Sequence, residues 1–230
     1  MSDGRKNLAS RTKPNSLPRT PLSRERVLRA AIGVADQVGL ESLTMRRLGT
    51  HLGVEAMSLY KHVANKDDLL DGMVDLVVSE IDLPAAEADW KTAMRMRALS
   101  ARQILTRHPW AIGMMEARAT MGPAALRYAD AVIGSLRAGG FSVAMAAHAF
   151  VVLDSFIYGF VVQEMGMPID STEQPARRTG AVLQTIADNP YPHLAEVAAE
   201  HVNGPGFDYA NEFEFGLALI LDALDSHRVD

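Results

Sequence analysis

The chain has 230 residues, 48% of them hydrophobic, which is enough to bury a sizeable core without covalent crosslinks. It has no cysteine, so disulfide bonds and thiolate metal sites are excluded. Its net charge is −5, but residues 1–66 carry 12 Lys and Arg against 5 Asp and Glu, whereas residues 67–230 carry 11 against 23. A basic head on an acidic body is typical of a two-part DNA-binding protein, although a solvated basic tail would give the same imbalance.

The N-terminal 21 residues contain three prolines among polar and basic side chains. This composition predicts a flexible basic arm over 1–21, because it offers too few apolar groups to build a core. The arm also lacks the apolar segment of a signal peptide, so we expect a cytoplasmic protein.

Residues 22–66 show helical spacing of apolar residues between capping residues, which predicts a compact helical head. Gly53 stands where a left-handed residue ends a helix. The first predicted helix lies between Ser23 and Gly39, the second covers 45–52 after the capping residue Thr44, and the third covers 55–62. A fourth helix is capped by Asn65, with Asp68 at its third position. It continues through 67–83 as a connecting helix.

Residues 84–230 repeat the helical period, and no segment has the two-residue alternation of a strand. The apolar run 144–162 contains Asp154, whose charge would be costly in lipid, so we interpret it as a buried helix and not as a membrane span. The sequence therefore predicts an all-α protein. Helices are predicted at 89–107, 110–116, 121–138, 142–165, 177–188, 192–202 and 207–226, with a loop over 166–174.

The second and third helices, joined through Gly53, have the layout of a helix-turn-helix, whose second helix enters the major groove of DNA. Two short amphipathic helices around a glycine also occur in helical proteins that never bind DNA. The side chains left facing outward favour DNA, because basic groups and short hydroxyls bind phosphates and arginine can read guanine. These outward side chains are Arg46, Arg47, Met57, Ser58, Lys61 and His62.

The run LTMRRLGTHLGVEAMSLYKHVANKDDLL, residues 43–70, resembles the DNA-binding domain of the tetracycline-repressor (TetR) family. It has the family's LT.R.LA..LGV second helix, here with Gly49 in place of the alanine, the LY.HV recognition helix and the NK..LL start of the fourth helix. The resemblance covers about residues 23–75. It implies a transcriptional repressor that binds a palindromic operator as a homodimer and leaves it when a small molecule enters the C-terminal domain, here 84–230.

Position by position, the resemblance implies contacts to DNA from the second helix, the recognition helix and the start of the fourth helix. Arg46 matches a base-reading position and Lys66 a phosphate clamp. Ala56 stands where the tetracycline repressors have a base-reading glutamine, so the operator is expected to differ from theirs. The implied DNA-binding residues are Thr44, Met45, Arg46, Ala56, Met57, Ser58, Tyr60, Lys61, His62 and Lys66.

The end of the chain, DYANEFEFGLALILDAL, resembles the last helix of the same branch of the family. In that branch two late helices of each subunit form a four-helix dimer bundle, which here would be 142–164 and 207–226. The apolar stripe of the last helix would serve equally well as an internal seam of one subunit.

Tetracycline repressors hold their drug and its magnesium with two histidines, an asparagine and a glutamate. The matching positions in this sequence are Asp82, Arg97, Met115 and Gln163, with Glu164 one residue away. These departures argue against tetracycline, and we expect no metal and no cofactor. Methionine and aromatic side chains of the middle helices favour a mostly apolar inducer, although each would also suit a plain core. The candidate ligand-binding residues are Met94, Arg97, Trp110, Met114, Met115, Phe156, Phe160 and Gln163.

Arg97 and Asp154 are charged residues on largely apolar helices, so each is expected to have a partner. A salt bridge within a helix or across a dimer interface explains them more simply than ligand recognition does.

An enzyme is the main rival to a regulator. The sequence contains no nucleophile motif, phosphate-binding glycine loop or ligand-spaced histidine set, so we expect no catalytic residues. Two further functions stay open: a helical small-molecule binding protein that does not bind an operator, and a transcriptional activator of the same family.

Overall fold

The computed structural model of the protein describes residues 21–117, 121–166, 185, 191–202 and 208–228. Every regular element in these ranges is helical, which confirms the all-α prediction. Apart from Pro21, Gly166 and Thr185, the predicted arm over 1–21, the loop over 166–174 and the helix over 177–188 lie outside the described residues.

The described α-helices are α1 (Arg24–Val38), α2 (Met45–Leu52), α3 (Ala56–Leu59), α4 (Lys66–Ser79), α5 (Trp90–Arg107), α6 (Trp110–Ala117), α7 (Pro123–Ala138), α8 (Val143–Gly166), α9 (Pro192–Val197) and α10 (Tyr209–Asp225). A short 3-10 turn, Leu40–Ser42, follows α1, and a π-helical turn, Ala198–Val202, follows α9.

The head consists of α1 to α3 and the first turns of α4, packed around one apolar cluster. Each predicted cap satisfies a backbone N–H group that the helix itself leaves unpaired. The Ser23 side chain accepts from the Arg26 N–H at 3.2 Å, Thr44 accepts from the Arg47 N–H at 3.1 Å, and Asn65 accepts from the Asp68 N–H at 2.8 Å.

The turn between α2 and α3 depends on two glycines. Gly53 has a φ of 67°, in the left-handed region, and ends α2 as predicted. Gly49 lies where α2 approaches the start of α3, and a Cβ there would be 2.9 Å from the Val54 carbonyl oxygen. The absence of a side chain at this position therefore allows α2 and α3 to pack closely.

Two predicted helix ends are wrong. The third helix ends at Leu59, because the chain after it forms a tight turn. In this turn the Leu59 carbonyl accepts from the His62 and Val63 N–H groups. The connecting helix ends at Ser79 and does not reach residue 83. After it, Glu80 and Ile81 donate to carbonyls three residues back, and Ile81 is buried.

The body is built around α8, which packs against α5, α7 and α10. Its length and composition would allow it to cross a membrane, but α8 contributes Asp154 to a buried ion pair of the body. The residues that fill the space between these helices are almost fully buried: Ala98, Ala101, Leu105, Val132, Leu136, Ala149, Leu153, Ile157, Phe213, Leu217 and Leu221.

The buried ion pair joins Arg97 of α5 to Asp154 of α8. Arg97 Nε also donates to the Tyr128 hydroxyl of α7 at 2.6 Å, and the guanidinium carbon lies 4.9 Å from the centre of that ring. The Tyr158 hydroxyl donates to Asp154 at 3.3 Å. Arg97 and Asp154 are therefore each other's expected partners, and their ion pair joins two helices of one subunit instead of lying within one helix.

Replacing Arg97 by methionine leaves Asp154 buried without its counter-charge, so we expect the free energy of unfolding to fall by about 3–5 kcal/mol. Adding Asp154→Leu to the same chain removes the remaining charge and should recover most of that loss. Urea denaturation of both single variants and the double variant gives the coupling energy. A double variant as unstable as Arg97→Met alone would contradict this account.

The contact between Arg24 and Asp68 predicts a pH dependence of stability. The Arg24 guanidinium, followed by the Ala64 N–H, lowers the pKa of Asp68 from 3.8 to about 2. Stability from ionised Asp68 is therefore fully present above its unfolded pKa, and it is lost as the pH falls through the folded pKa of about 2.

Thermal unfolding of the wild type and of Asp68→Asn tests this prediction between pH 5 and pH 2, the range that spans both pKa values. The stability difference between them should shrink as the pH falls. A constant difference would show that Asp68 does not act through its charge.

Candidate functional site

Arg24 positions the recognition helix α3 relative to the rest of the head. Its guanidinium donates to the His62 carbonyl at 3.0 Å, just after α3, and to the Asp68 carboxylate of α4 at 2.8 Å. One side chain of α1 thus joins the end of the recognition segment to the start of the connecting helix. The contact with Asp68 is ionic and bidentate, and the hydrogen bond to the neutral His62 carbonyl is charge-assisted, so together they fix the position of the end of α3 relative to α1 and α4.

The structure places the sequence-predicted DNA-binding residues along one stretch of the head, with differing exposure. Thr44, Arg46, Met57, Tyr60, Lys61 and Lys66 are exposed, whereas Met45, Ala56, Ser58 and His62 are half-buried. Met57 is 75% exposed. Met45 packs against the core, so its side chain supports α2 from within.

The surface of α2 is basic. Arg46, Arg47 and His51 lie around a shallow depression together with the hydroxyl residues Thr44 and Thr50. Arg47 donates to the Ser42 carbonyl at 3.2 Å, which holds its guanidinium against the head. Such a combination of cations and hydroxyls can bind phosphate oxygens and base edges.

The body contains a partly open cavity of about 870 Å³ between α4, α6, α7 and α8. Its size is typical of sites for drug-sized molecules. Its described wall is mainly apolar and consists of Asp71, Val74, Asp75, Val78, Ile112, Met115, Glu116, Met121, Gly122, Ala125, Phe150, Val151, Asp154, Ser155, Tyr158, Gly159 and Val162.

Of the predicted ligand-binding residues, Met115 lies in this wall and the others do not. Met94 and Arg97 are buried in the core of the body, and Met114 packs against that core. Phe156 and Phe160 face α10, where their rings lie 5.2 and 5.1 Å from that of Phe213. Gln163 is exposed. Glu164, one residue from the position that matches a drug ligand of the tetracycline repressors, is paired with Arg102.

Trp110 also lies outside the wall, because it takes part in a contact between head and body. Its indole N–H donates to the Asp36 carboxylate of α1 at 2.7 Å. The same carboxylate lies 2.9 Å from Nδ1 of the buried His108, whose Nε2 is 3.6 Å from Glu80. These residues join α1 to the segment that leads into α6, and α6 lines the cavity.

One polar part of the cavity wall is formed by Asp154 and Tyr158, and its contacts continue inward to Arg97 and Tyr128. Burial raises the pKa of Tyr158 above its ordinary value, so its hydroxyl stays protonated and donates to Asp154. Burial likewise raises the pKa of Tyr128, and the Arg97 charge opposes that rise. The wall therefore includes a carboxylate, that of Asp154, which is paired with Arg97 and accepts a hydrogen bond from Tyr158.

Asp75 of α4 connects the cavity to the start of α7. Its carboxylate accepts from the Ala124 and Ala125 N–H groups at 2.8 and 3.1 Å and so caps that helix. Gly122 allows this approach, because a Cβ at that position would collide with the Asp75 carboxylate.

The residues that α4, α7 and most of α8 contribute to the wall were not predicted from the sequence. A signal for them exists: Asp71 and Asp75 lie one turn apart on α4, and Asp154 and Tyr158 lie one turn apart on the apolar α8. Polar pairs at this spacing share a helix face, and in both helices that face meets the cavity.

The protein is similar to known regulators over most of its length. Residues 27–73 match the family described as bacterial regulatory proteins, tetR family, and residues 83–227 match the tetracyclin repressor-like C-terminal domain. It is 31% identical to the HTH-type transcriptional repressor DrrR1 of Streptomyces coeruleorubidus, over 93% of this chain and 81% of that protein. It is 32% identical to the class A tetracycline repressor from transposon 1721 of Escherichia coli, over 91% of this chain and 94% of that protein.

Among solved structures, it resembles the TetR family protein ActR of Streptomyces coelicolor in complex with actinorhodin. The TM-score is 0.74 at 26% identity, over 90% of this chain and 98% of that one. Two family matches that together cover most of the sequence agree with the helix-turn-helix head and the cavity-bearing body described above. The chain belongs to the TetR family of transcriptional regulators.

Proposed function

We propose that this protein is a ligand-responsive transcriptional repressor that binds a palindromic operator as a homodimer and leaves it when a small, mostly apolar molecule fills the cavity of the body. The observation that carries the proposal is the joint presence of an exposed basic helix-turn-helix and a drug-sized cavity, linked through α6. The repressor names of the relatives and the bound actinorhodin of ActR support it.

The head supplies the groups that an operator complex needs. Arg46 has no side-chain partner among the described residues, so its guanidinium is available to bind guanine in the major groove. Lys61 and Lys66 are exposed at the two ends of the turn that follows α3, where they are suited to phosphate contacts. Met57 and Tyr60 add apolar contact area between these charges.

Homodimerisation is supported by apolar side chains that α8 and α10 leave in solvent. Phe215 and Leu219 lie one turn apart on α10 and are 65% and 58% exposed. On α8, Val143, Val151, Val152 and Val162 are also exposed. Several exposed apolar side chains on two packed helices are suited to a protein–protein interface, and pairing these helices with their copies would form a four-helix bundle.

We propose that the contacts of Asp36 transmit the state of the cavity to the head. Ile112, Met115 and Glu116 of α6 line the cavity, and Trp110 at the start of the same helix bonds to α1. A ligand that binds better to one position of α6 shifts the head toward the matching orientation. The spacing of the two recognition helices then changes, and operator affinity falls.

This function requires access to DNA and therefore places the protein in the cytoplasm, with no membrane partner. It assigns no catalytic role, no metal and no cofactor to any residue. A small-molecule binding protein without operator affinity predicts the opposite result in the following experiment, and an activator of the same family would bind the operator but raise transcription.

The first test measures binding to the DNA that flanks the protein's own gene. We expect Lys61→Ala to weaken binding about tenfold or more, because it removes a charge-assisted phosphate contact. It should also reduce the slope of log affinity against log salt by about 1. Gel shifts over a salt series provide both values.

Arg127→Ala is the matched control, since it removes the same charge from an exposed position on α7 of the body. It should leave both the affinity and the salt slope unchanged. Equal losses in the two variants would show that overall charge, and not the head, controls binding. A wild-type protein that does not shift the flanking DNA would favour a small-molecule binding protein without operator affinity.

The second test concerns the oligomeric state. Phe215→Glu introduces a charge at the centre of the proposed interface, so we expect the protein to become monomeric and to lose operator binding, which needs two heads. Leu126→Glu, at a similarly exposed apolar position of α7, should remain dimeric. Sedimentation equilibrium distinguishes the two states. A dimeric Phe215→Glu variant would show that the interface lies elsewhere.

A further inference from the structure

The polar side chains of the cavity wall have an unusual donor and acceptor balance. In the described part of the wall they are four carboxylates, Asp71, Asp75, Glu116 and Asp154, and two hydroxyls, Ser155 and Tyr158. The same part of the wall includes no Lys, Arg, His, Asn, Gln or Trp. The cavity therefore offers hydrogen-bond acceptors and negative charge, but no side-chain N–H donor from these residues.

One of these carboxylates is neutralised by a cation. Arg97 pairs with Asp154 from behind the wall, and this pair contributes little net charge to the cavity. The Tyr158 hydroxyl also points its hydrogen at Asp154, since it donates to that carboxylate at 3.3 Å. The Asp154 region is therefore acceptor-rich but close to electrically neutral.

Asp75 and Glu116 are different. Asp75 accepts from the Ala124 and Ala125 N–H groups, which carry no net charge. Glu116 lies on α6 with its side chain exposed, and its charge contributes to raising the pKa of Tyr158 across the cavity. Even without Asp71, the carboxylates of Asp75 on α4 and Glu116 on α6 have no cationic partner among the described residues.

The remaining surface of the wall is apolar and polarisable. It includes Val74, Val78, Ile112, Met115, Met121 and Phe150. Methionine and phenylalanine bind flat apolar groups well, and an aromatic ring also attracts a cation placed over its face. The wall thus combines a large apolar surface with uncompensated negative charge at its edge.

From this balance we infer that the inducer is an amphiphilic organic cation, with an apolar and preferably aromatic framework and a protonated amine directed at Glu116 and Asp75. The inference deepens the proposed function, because it assumes that this cavity is the inducer site. An ammonium group would donate to acceptors that otherwise lack a charged partner. A carboxylate or sulfonate ligand would lose its hydration and meet like charge, which opposes its binding.

Three xanthene dyes that share one ring system test this charge preference. Rhodamine 6G is a cation, rhodamine B is a zwitterion without net charge, and fluorescein is an anion at about pH 7.5. Fluorescence polarisation with the full-length protein at about 0.15 M salt gives the three affinities. We expect rhodamine 6G to bind about tenfold or more tightly than rhodamine B, and fluorescein to bind weakest.

Glu116→Gln should reduce the affinity for rhodamine 6G several-fold and should not reduce that for fluorescein, because it removes a negative charge while keeping the shape of the side chain. Glu87→Gln, an exposed change outside the cavity wall, is the matched control and should alter neither affinity. Equal affinities for the cationic and anionic dyes, or no measurable binding of rhodamine 6G, would overturn the inference. So would an unchanged rhodamine 6G affinity in Glu116→Gln.

The outcome is separable from that of the proposed function. A protein that binds the operator but prefers fluorescein is a regulator with a different class of inducer. A protein that prefers rhodamine 6G through Glu116 but does not bind the flanking DNA has the inferred cavity without the proposed role.

Discussion

In the proposed mechanism, communication between the head and the body depends on the carboxylate of Asp36. It lies on α1, in the head, and binds Trp110 and His108, which lead into α6. Without this contact the head would be joined to the body mainly through α4, whose apolar packing can adjust by small steps. A directional hydrogen bond to an indole has a narrow geometry, so in the proposed mechanism it would convert a displacement of α6 into a change in the position of α1.

Each end of α1 carries a charged side chain whose hydrogen bonds join α1 to another part of the protein. At its start, Arg24 reaches His62 and Asp68 and fixes the recognition segment. Near its end, Asp36 binds the body. Because α1 is a continuous helix of 15 residues, a tilt imposed at Asp36 would be carried to Arg24 and from there to α3. The head can therefore move as one unit, which is what a change in half-site spacing requires.

Local sequence signals were sufficient for much of the fold. The second helix was predicted at its observed bounds because Thr44 and Gly53 act within a few residues of it. The end of α3 was not, since the His62 carbonyl is bound by Arg24, 38 residues earlier in the chain. The cavity wall was largely missed for a related reason: Phe156 and Phe160 share α8 with Asp154 and Tyr158 but face α10. Composition identifies a helix rich in aromatic residues, whereas only packing decides which of its faces meets the cavity.

Val151 and Val162 of α8 line the cavity, and both are also among the exposed apolar side chains of the proposed dimer interface. In the proposed homodimer, the partner subunit approaches this same helix, so each pocket would be completed only upon assembly. Effector binding and dimer formation would then be linked in one thermodynamic cycle. A bound effector would increase the dimerisation constant by the same factor by which dimerisation increases the affinity for the effector. Diluting such a protein would weaken its apparent sensitivity to the effector, and the concentration of the regulator would itself set the threshold of its response.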